Sequence, residues 1–321
     1  MIAGLIVVAG GLAVYRGTRP APVTPIKLIA FSRGPALVAA ERKGYFAAEH
    51  VQIEYTQTPS SSVQMRGLLD GKWDVAQTAP DNVMAYVERE KADAFTFLVG
   101  DLGINQKLIG RPEIGSIADL RGKAVGVDAV DTGFAFLVVN MLEKGGLNKG
   151  DYTFEPVGGT PERLAALKSG KTMAGLLSGA QEVEALNAGY KVLSTAAELY
   201  PNYPGSGSFA TTKRWAAAHG DALVGFSRAY LKAVDWVADP SHRDEAIDLL
   251  MADQNAQRPA ATAQYEANAK AITVSHPKPD QVLSGLQTVL DLRWSQQPGD
   301  GPKPLVTKYY DASYAAKAEG R

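Results

Sequence analysis

Six short stretches of Gly, Ser, Thr, Pro and Asp residues have the composition of a small-molecule binding site. Each stretch follows an apolar run and stands directly before a helix-like pattern. The first turn of a helix has backbone N–H groups without partners and a partial positive charge, so several converging helix starts would hold a polar solute. The stretches are residues 32–35, 58–62, 78–82, 131–133, 158–161 and 178–181. This pattern predicts binding rather than catalysis.

The candidate ligand-binding side chains lie in these stretches or directly beside them. Arg33 could clamp a carboxylate, sulfonate or phosphate with its planar guanidinium, or it could be a solvated arginine or form an ion pair between lobes. Phe134 could stack on a planar group, and the hydroxyl residues could bind ligand or only cap helices. The candidates are Phe31, Ser32, Arg33, Ser60, Ser61, Ala79, Asp81, Asn82, Asp131, Thr132, Gly133, Phe134, Thr160, Ser178 and Gln181.

Residue sets that carry out catalysis or bind metal ions are missing from the sequence. The chain has no cysteine, which excludes disulfides, thiol catalysis and cysteine metal sites. Its four histidines lie far apart, without the spacing of a metal site. The sequence also has no nucleophile elbow and no phosphate-binding lysine loop. We therefore expect neither an enzyme nor a bound metal or cofactor.

Length and charge point to a small partner. With 321 residues, the chain exceeds the usual size of a single core, so two lobes are expected. It carries 33 basic and 34 acidic residues, a formal net charge of −1, without any long block of like charges. Nothing in this balance favours a nucleic-acid partner, and we expect a small-molecule ligand.

Alternating strand and helix patterns position the six stretches. Apolar runs predict strands, and helical patterns bounded by Pro and Gly lie between them, whereas residues 105–112 have the composition of a loop. From residue 213 onward the pattern is almost entirely helical. The predicted strands are residues 26–31, 51–56, 73–77, 94–99, 124–128, 153–157, 172–177, 191–194 and 208–212. This order predicts an α/β fold with mostly parallel sheets flanked by helices, and a helical C-terminal tail.

The N-terminus predicts a location outside the cytoplasm. Residues 1–15 contain no charged side chain, and a Pro-rich stretch follows at residues 19–25. As a helix, fifteen residues reach about 22 Å, which favours a signal segment over a stable membrane span. We expect residues 1–24 to be a signal or anchor segment plus a flexible tether. The alternative is a buried N-terminal strand or helix.

Five motifs in consistent order resemble one family of transport proteins. They are AAERKGYF at residues 39–46, LLDGKWDVA at 68–76, IADLRGKAVGV at 117–127, LAALKSG at 164–170 and FSRAYLKAVDWV at 226–237. With these motifs the chain resembles the solute-binding proteins of ABC importers, in the nitrate, sulfonate, taurine and pyrimidine-precursor group. It departs from the family pattern after residue 170, so the ligand cannot be copied from a known member.

The resemblance implies a two-lobed type II periplasmic binding protein fold and a function. Residues 25–103 and 208–321 would form lobe 1, residues 104–207 would form lobe 2, and the crossings near residues 100–106 and 204–208 would be hinges. A monomeric periplasmic receptor would then close on its solute and deliver it to a membrane permease. The alternatives are a ligand sensor of the same fold and a pyrimidine-synthase-like enzyme, whose cysteine-rich iron segment this chain lacks.

Overall fold

The computed structural model describes residues 22–271 and 276–320, which contain two β-sheets of five strands each. The predicted signal or anchor segment at residues 1–15 lies outside the described residues. Within the described ranges, no helix combines the length and the apolar character needed to cross a membrane.

The first sheet has the strand order β2-β1-β3-β10-β4. Its strands are β1 (Thr24–Ala30), β2 (Val51–Gln57), β3 (Val75–Gln77), β4 (Ala94–Val99) and β10 (Ser208–Thr212). β1 pairs in parallel with β2 and β3, whereas β10 is antiparallel to both β3 and β4. One strand is therefore reversed in an otherwise parallel sheet.

The second sheet repeats this arrangement with the order β7-β6-β8-β5-β9. Its strands are β5 (Lys107–Gly110), β6 (Ala124–Val127), β7 (Thr153–Pro156), β8 (Ala174–Leu177) and β9 (Lys191–Thr195). β6 pairs in parallel with β7 and β8, and β5 is antiparallel to β8 and β9. The predicted α/β class with mostly parallel sheets is confirmed, while the lobe boundaries stay a prediction.

Strand β5 contradicts the loop that was predicted for residues 105–112. Its apolar run consists of Leu108 and Ile109 only, between the polar residues Gln106 and Arg111, so no periodic pattern is visible. The strand forms because it is paired on both sides, with Leu108 opposite Leu176 of β8 and Ser194 of β9. Long-range pairing therefore decides its conformation.

Helices cover the sheets and form the C-terminal part of the chain. The helices are α1 (Pro35–Arg42), α2 (Tyr45–Ala48), α3 (Ser61–Leu69), α4 (Pro80–Glu90), α5 (Gly133–Lys144), α6 (Thr160–Ser169), α7 (Gly179–Asn187), α8 (Ala196–Leu199), α9 (Lys213–Ala238), α10 (Arg243–Gln254), α11 (Arg258–Ala271), α12 (Pro279–Gln296) and α13 (Ser313–Ala318). Short 3-10 helices occupy Ile117–Leu120, Pro240–His242 and Val306–Lys308. The predicted helical C-terminal tail is confirmed.

The C-terminal helices contact elements from both sheets. α9 packs on α1, α2 and α13, and its Phe226 joins Phe97 and Phe209 of the first sheet in a buried aromatic cluster. α11 packs against α7, and α12 packs against both α4 and α5. Apolar side chains of α4, α5 and α12 belong to one continuous core, so the tail packs against the helices of both sheets.

Candidate functional site

A cavity of about 560 Å³ lies between the ends of strands in the first sheet and the starts of helices beside the second sheet. Ala30, Gln57 and Gln77, which end β1, β2 and β3, line one side. Thr160 and Gly179, which begin α6 and α7, line another. Ligands of open α/β folds bind beyond the carboxyl ends of strands, and known small-molecule pockets span about 300–1,000 Å³. The cavity has the place and size of such a pocket.

Most of the predicted ligand-binding residues line this cavity. Both phenylalanines are included, together with polar residues from five of the helix starts. The predicted residues that line it are Phe31, Ser32, Ser61, Ala79, Asn82, Phe134, Thr160, Ser178 and Gln181. The structure thus brings together residues that are up to 150 positions apart in the chain. Their contact with a ligand stays a prediction.

Each of the six small-residue stretches leads into a helix, as predicted. Ser60 caps α3, since its hydroxyl accepts a hydrogen bond from the Val63 N–H at 3.2 Å. Helices α1, α4, α6 and α7 have no side-chain cap. Proline at the first position of α1 and of α4 carries no N–H, and the Asn82 N–H of α4 donates to the Ala79 carbonyl at 3.0 Å. The other first-turn N–H groups of these four helices have no side-chain cap, which is the property of a polar binding site.

Arg33 is not among the residues that line the cavity. Its guanidinium pairs with the carboxylates of Glu41 and Asp253 and lies over the ring of Tyr55. The Nη1 atom of Arg33 is 2.7 Å from Oδ1 of Asp253. The structure contains an ion pair, but Arg33, Glu41 and Asp253 all belong to the residues predicted for lobe 1, so it is not the ion pair between lobes that was the alternative. The pair joins α1 to α10, helices that pack on each other, rather than bridging the cavity.

Asp81 and Gly133 are engaged in a buried ion-pair network instead of lining the cavity. The carboxylate of Asp81 accepts hydrogen bonds from Arg293 at 2.6 and 2.7 Å and from the Gly133 N–H at 2.6 Å. Arg293 also donates to the main-chain oxygen of Asp131 at 2.8 Å. These bonds join α4, the start of α5 and α12. The Asp81 carboxylate takes the place that an anion would occupy at the start of α5.

Asp131 and Thr132 line a second, smaller cavity of about 280 Å³. The Asp131 carboxylate pairs with Arg89, and Thr132 caps α5 by accepting a hydrogen bond from the Ala135 N–H at 3.2 Å. Thr132 also donates a hydrogen bond to Asp128 at 2.7 Å. Both residues therefore have structural partners, and neither lines the main cavity.

Asp101 lines the main cavity and was not among the predicted residues. Burial raises the pKa of its carboxyl to about 7, although a hydrogen bond from the Gly205 main chain acts in the opposite direction. Its Oδ1 atom is buried without a hydrogen-bond partner. Asp101 lies two residues after the end of strand β4, so the rule that ligands bind beyond strand ends could have identified it.

Three further charged side chains line the cavity: Arg163, Asp128 and Glu162. The buried guanidinium of Arg163 donates to the Leu176 carbonyl at 2.7 Å, and also to the Gly158 carbonyl and the Thr160 hydroxyl. Burial raises the pKa of the Asp128 carboxyl, while nearby Arg163 and the Thr132 hydroxyl oppose the shift. Asp128 follows directly after strand β6 and, like Asp101, was not among the predicted residues.

The two predicted hinge segments lie side by side at the cavity. The Gly100 N–H donates to the Gly207 carbonyl at 3.1 Å, and the Tyr203 N–H donates to the Leu102 carbonyl at 2.9 Å. A Cβ atom on Gly207 would lie 2.7 Å from Cγ of Asp101, so the close approach of the segments requires glycine there. Hinge motion at these segments stays a prediction.

Within the described residues, no group of His, Cys, Asp and Glu side chains is arranged to hold a metal ion.

Comparison with known proteins identifies a family. A family model described as NMT1/THI5 like matches residues 35–243, more than half of the chain. No curated protein matches the chain in sequence.

Solved structures with the same fold include binding proteins and an enzyme. The alkanesulfonate-binding protein SsuA from Xanthomonas axonopodis pv. citri, bound to MOPS, is 18% identical, with a TM-score of 0.75 over 91% of this chain and 100% of that chain. The nitrate-binding protein NrtA from Synechocystis PCC 6803 is 14% identical, with a TM-score of 0.74 over 94% and 90%. The desulfurization enzyme DSZB is 15% identical, with a TM-score of 0.67 over 92% and 99%. These similarities establish the two-lobed binding-protein fold.

Proposed function

The chain belongs to the NMT1/THI5-like family, and we propose that it is a solute-binding protein that holds a small molecule in the 560 Å³ cavity. One observation carries the proposal: residues beside both sheets line this single cavity, and four uncapped helices begin at it. Backbone N–H groups from several directions can satisfy a solute that has left water.

Contact from two sides gives such a protein a way to respond to its solute. A solute that touches both walls binds the closed arrangement better than an open one, and this difference shifts the population toward closure. We propose that closure occurs by a hinge at residues 100–106 and 204–208, between the lobes predicted from the sequence. The closed form would deliver the solute to the membrane permease of an ABC importer, on the periplasmic side of the membrane.

A solute carrier is favoured over an enzyme by the residues present. One structure of the same fold is an enzyme, DSZB, so the fold alone is compatible with catalysis. The present chain contains no cysteine, and its histidines do not line the cavity. Asp101, Asp128, Glu162 and Arg163 are the charged residues that line it among those described. We propose that this set binds a solute without transforming it.

A pair of tryptophan substitutions on one helix tests the proposal. Ala180 lines the cavity at the first turn of α7, whereas Val183 is 42% exposed on the same helix and does not line it. Ala180→Trp would fill the cavity, and Val183→Trp would leave it open. Native mass spectrometry of freshly purified protein should show a bound small molecule in the wild type and in V183W, but not in A180W.

Thermal shift measurements complete the experiment. A solute at 100 times its dissociation constant stabilises the folded protein by about 2.7 kcal/mol, which is easily measured. A panel of sulfonates, carboxylates, nitrate and pyrimidines at millimolar concentration should contain members that raise the Tm of the wild type and of V183W. The proposal fails if the purified wild type carries no small molecule and no member of the panel raises its Tm.

A further inference from the structure

The charged side chains that line the main cavity are mostly acidic. Asp101, Asp128 and Glu162 face a single cationic residue of the lining, Arg163. Other basic residues near the cavity are paired elsewhere, as Arg33 is with Asp253 and Lys107 is with Glu182. An anionic solute would therefore enter a cavity in which carboxyl groups outnumber cations, and like charges at close range repel each other.

Arg163 is already engaged with the protein. Its Nε, Nη1 and Nη2 atoms each donate a hydrogen bond, to the Leu176 carbonyl, the Gly158 carbonyl and the Thr160 hydroxyl. The residue is 4% exposed, so its guanidinium is held in one position by these bonds. This use differs from a guanidinium fork that is free to bind a carboxylate or sulfonate with two parallel bonds. Arg163 supports the wall between α6 and β8.

Acceptor atoms in the cavity wall lack donors. Oδ1 of Asp101 and the side-chain Oε1 atoms of Gln77 and Gln106 are buried without hydrogen-bond partners, and all three residues line the cavity. Buried acceptors without partners are costly, so a solute that supplies N–H donors would remove this cost. Of the three, the Asp101 carboxylate is the strongest acceptor because it can carry a full charge.

Two other features of the lining describe the rest of the solute. Phe31 and Phe134 both line the cavity and offer apolar faces or edges to a planar group. The uncapped starts of α6 and α7 offer backbone N–H groups to acceptor atoms. The lining therefore suits a planar ring with polar substituents.

Building on the proposed function, we propose that the solute is a planar, neutral or cationic molecule with N–H donors, which Asp101 selects over an organic anion. Asp101 would be the specificity-determining residue, and Phe31 and Phe134 would contact the ring. The Asp101 carboxylate, which lines the cavity and whose Oδ1 atom has no partner in the protein, would accept the N–H hydrogen bond of the solute.

Three probes of equal shape test the charge preference. Benzoate, benzamide and benzamidine have the same ring and differ in their polar group. Benzoate carries an anion without N–H donors, benzamide a neutral amide with N–H donors, and benzamidine a cation with N–H donors. Ligand-detected NMR at millimolar concentration should give benzamide and benzamidine dissociation constants at least tenfold lower than that of benzoate. Ala180→Trp should abolish these signals, which places the probes in the cavity.

Asp101→Asn separates the role of this residue from the rest of the cavity. It keeps the shape and one acceptor atom but removes the charge. At pH 8, above the pKa of about 7 of the Asp101 carboxyl, benzamidine should therefore bind at least fivefold more weakly while benzamide changes little. Asp300→Asn, at an exposed position, is the matched control and should change neither constant. The inference is overturned if benzoate binds as tightly as benzamidine, if D101N weakens benzamidine and benzamide equally, or if none of the three probes binds. A small molecule that co-purifies with the wild type would in each case leave the proposed function standing.

Discussion

Arg293→Met is expected to destabilise the protein strongly because it leaves a buried carboxylate without its cation. Asp81 is 1% exposed, and the side chain of Arg293 is 5% exposed. In the wild type the Asp81 carboxylate accepts two hydrogen bonds from Arg293 and one from the Gly133 N–H. Methionine replaces the apolar part of Arg293 but none of its donors, so only the Gly133 N–H remains.

The magnitude follows from the burial of the pair. Removing one partner of a buried ion pair costs about 3–5 kcal/mol, since the remaining charge stays out of water. With an unfolding entropy of about 2.1 cal/mol/K per residue, a chain of 321 residues loses about 1.5 °C per kcal/mol, so the Tm should fall by about 4–8 °C. Arg66→Met is the matched control, because the Arg66 side chain is 60% exposed in its ion pair with Glu90. Exposed pairs contribute about 0–1 kcal/mol, so the control should change little.

A double variant identifies the charge as the cause. Asp81→Asn combined with Arg293→Met removes the buried charge while the Asn oxygen can still accept from the Gly133 N–H. The double variant should therefore be at least about 1 kcal/mol more stable than Arg293→Met alone, as expected when an unpaired buried charge is neutralised. Urea unfolding followed by circular dichroism gives both free energies. A cost below about 1 kcal/mol for Arg293→Met, or a double variant less stable than the single one, would refute the reasoning.

Two further predictions concern Asp101 and Gly133. Burial raises the pKa of Asp101 to about 7 in the folded protein, against an ordinary value of 3.8. Between these two pH values the folded state binds a proton that the unfolded state has released. The stability of the wild type therefore falls as the pH rises through this window. In urea titrations, the free energy of unfolding of Asp101→Asn minus that of the wild type should increase from pH 5 to pH 7, by at most about 1.4 kcal/mol per pH unit. A difference that stays constant with pH would contradict this. Gly133→Ala should cost about 1–3 kcal/mol by overpacking, because its Cβ would lie 2.7 Å from Asp81 and 2.8 Å from the Tyr203 hydroxyl. Gly34→Ala, with its nearest contact at 3.2 Å, should stay within about 0.5 kcal/mol in the same assay, and equal costs would count against this account.

The sequence predicts the elements of this fold well where local patterns are strong. Strand β4 and strand β10 have the predicted bounds, and Pro35 and Pro80 begin helices as expected of proline in the first turn. Strand β5 and the four-residue helices α2 and α8 were not predicted, because so few residues carry no periodic pattern. Their conformation depends on pairing and packing with distant parts of the chain.

The same limit applies to the site. Five of the six small-residue stretches identify walls of the cavity, because strand ends and helix starts are local signals, whereas residues 131–133 do not line it. They cannot show that Asp81 pairs with Arg293, 212 positions away, or that Arg33 pairs with Asp253. The sequence therefore suggests Gly133 as a ligand contact, whereas the structure packs it against Asp81 and Tyr203. A substitution there should act on stability, and Gly34, which lines the cavity, is the better position for a test of binding.

The network around Arg293 also bears on how the cavity would open. Its guanidinium bonds to Asp81 on α4 and to the Asp131 carbonyl before α5, and Asp81 bonds to Gly133 at the start of α5. If α4 and α5 separate, the bond from the Gly133 N–H to Asp81 must break. If α12 moves with α4, the bond from Arg293 to the Asp131 carbonyl breaks as well, and if α12 moves with α5, the Arg293–Asp81 pair breaks. In both cases the lost bonds are buried and charge-assisted. In the proposed hinge closure, these bonds favour the closed arrangement before any solute binds. The solute then has to supply only the remaining free-energy difference between the open and closed arrangements, since a ligand shifts an equilibrium by its difference in affinity for the two states.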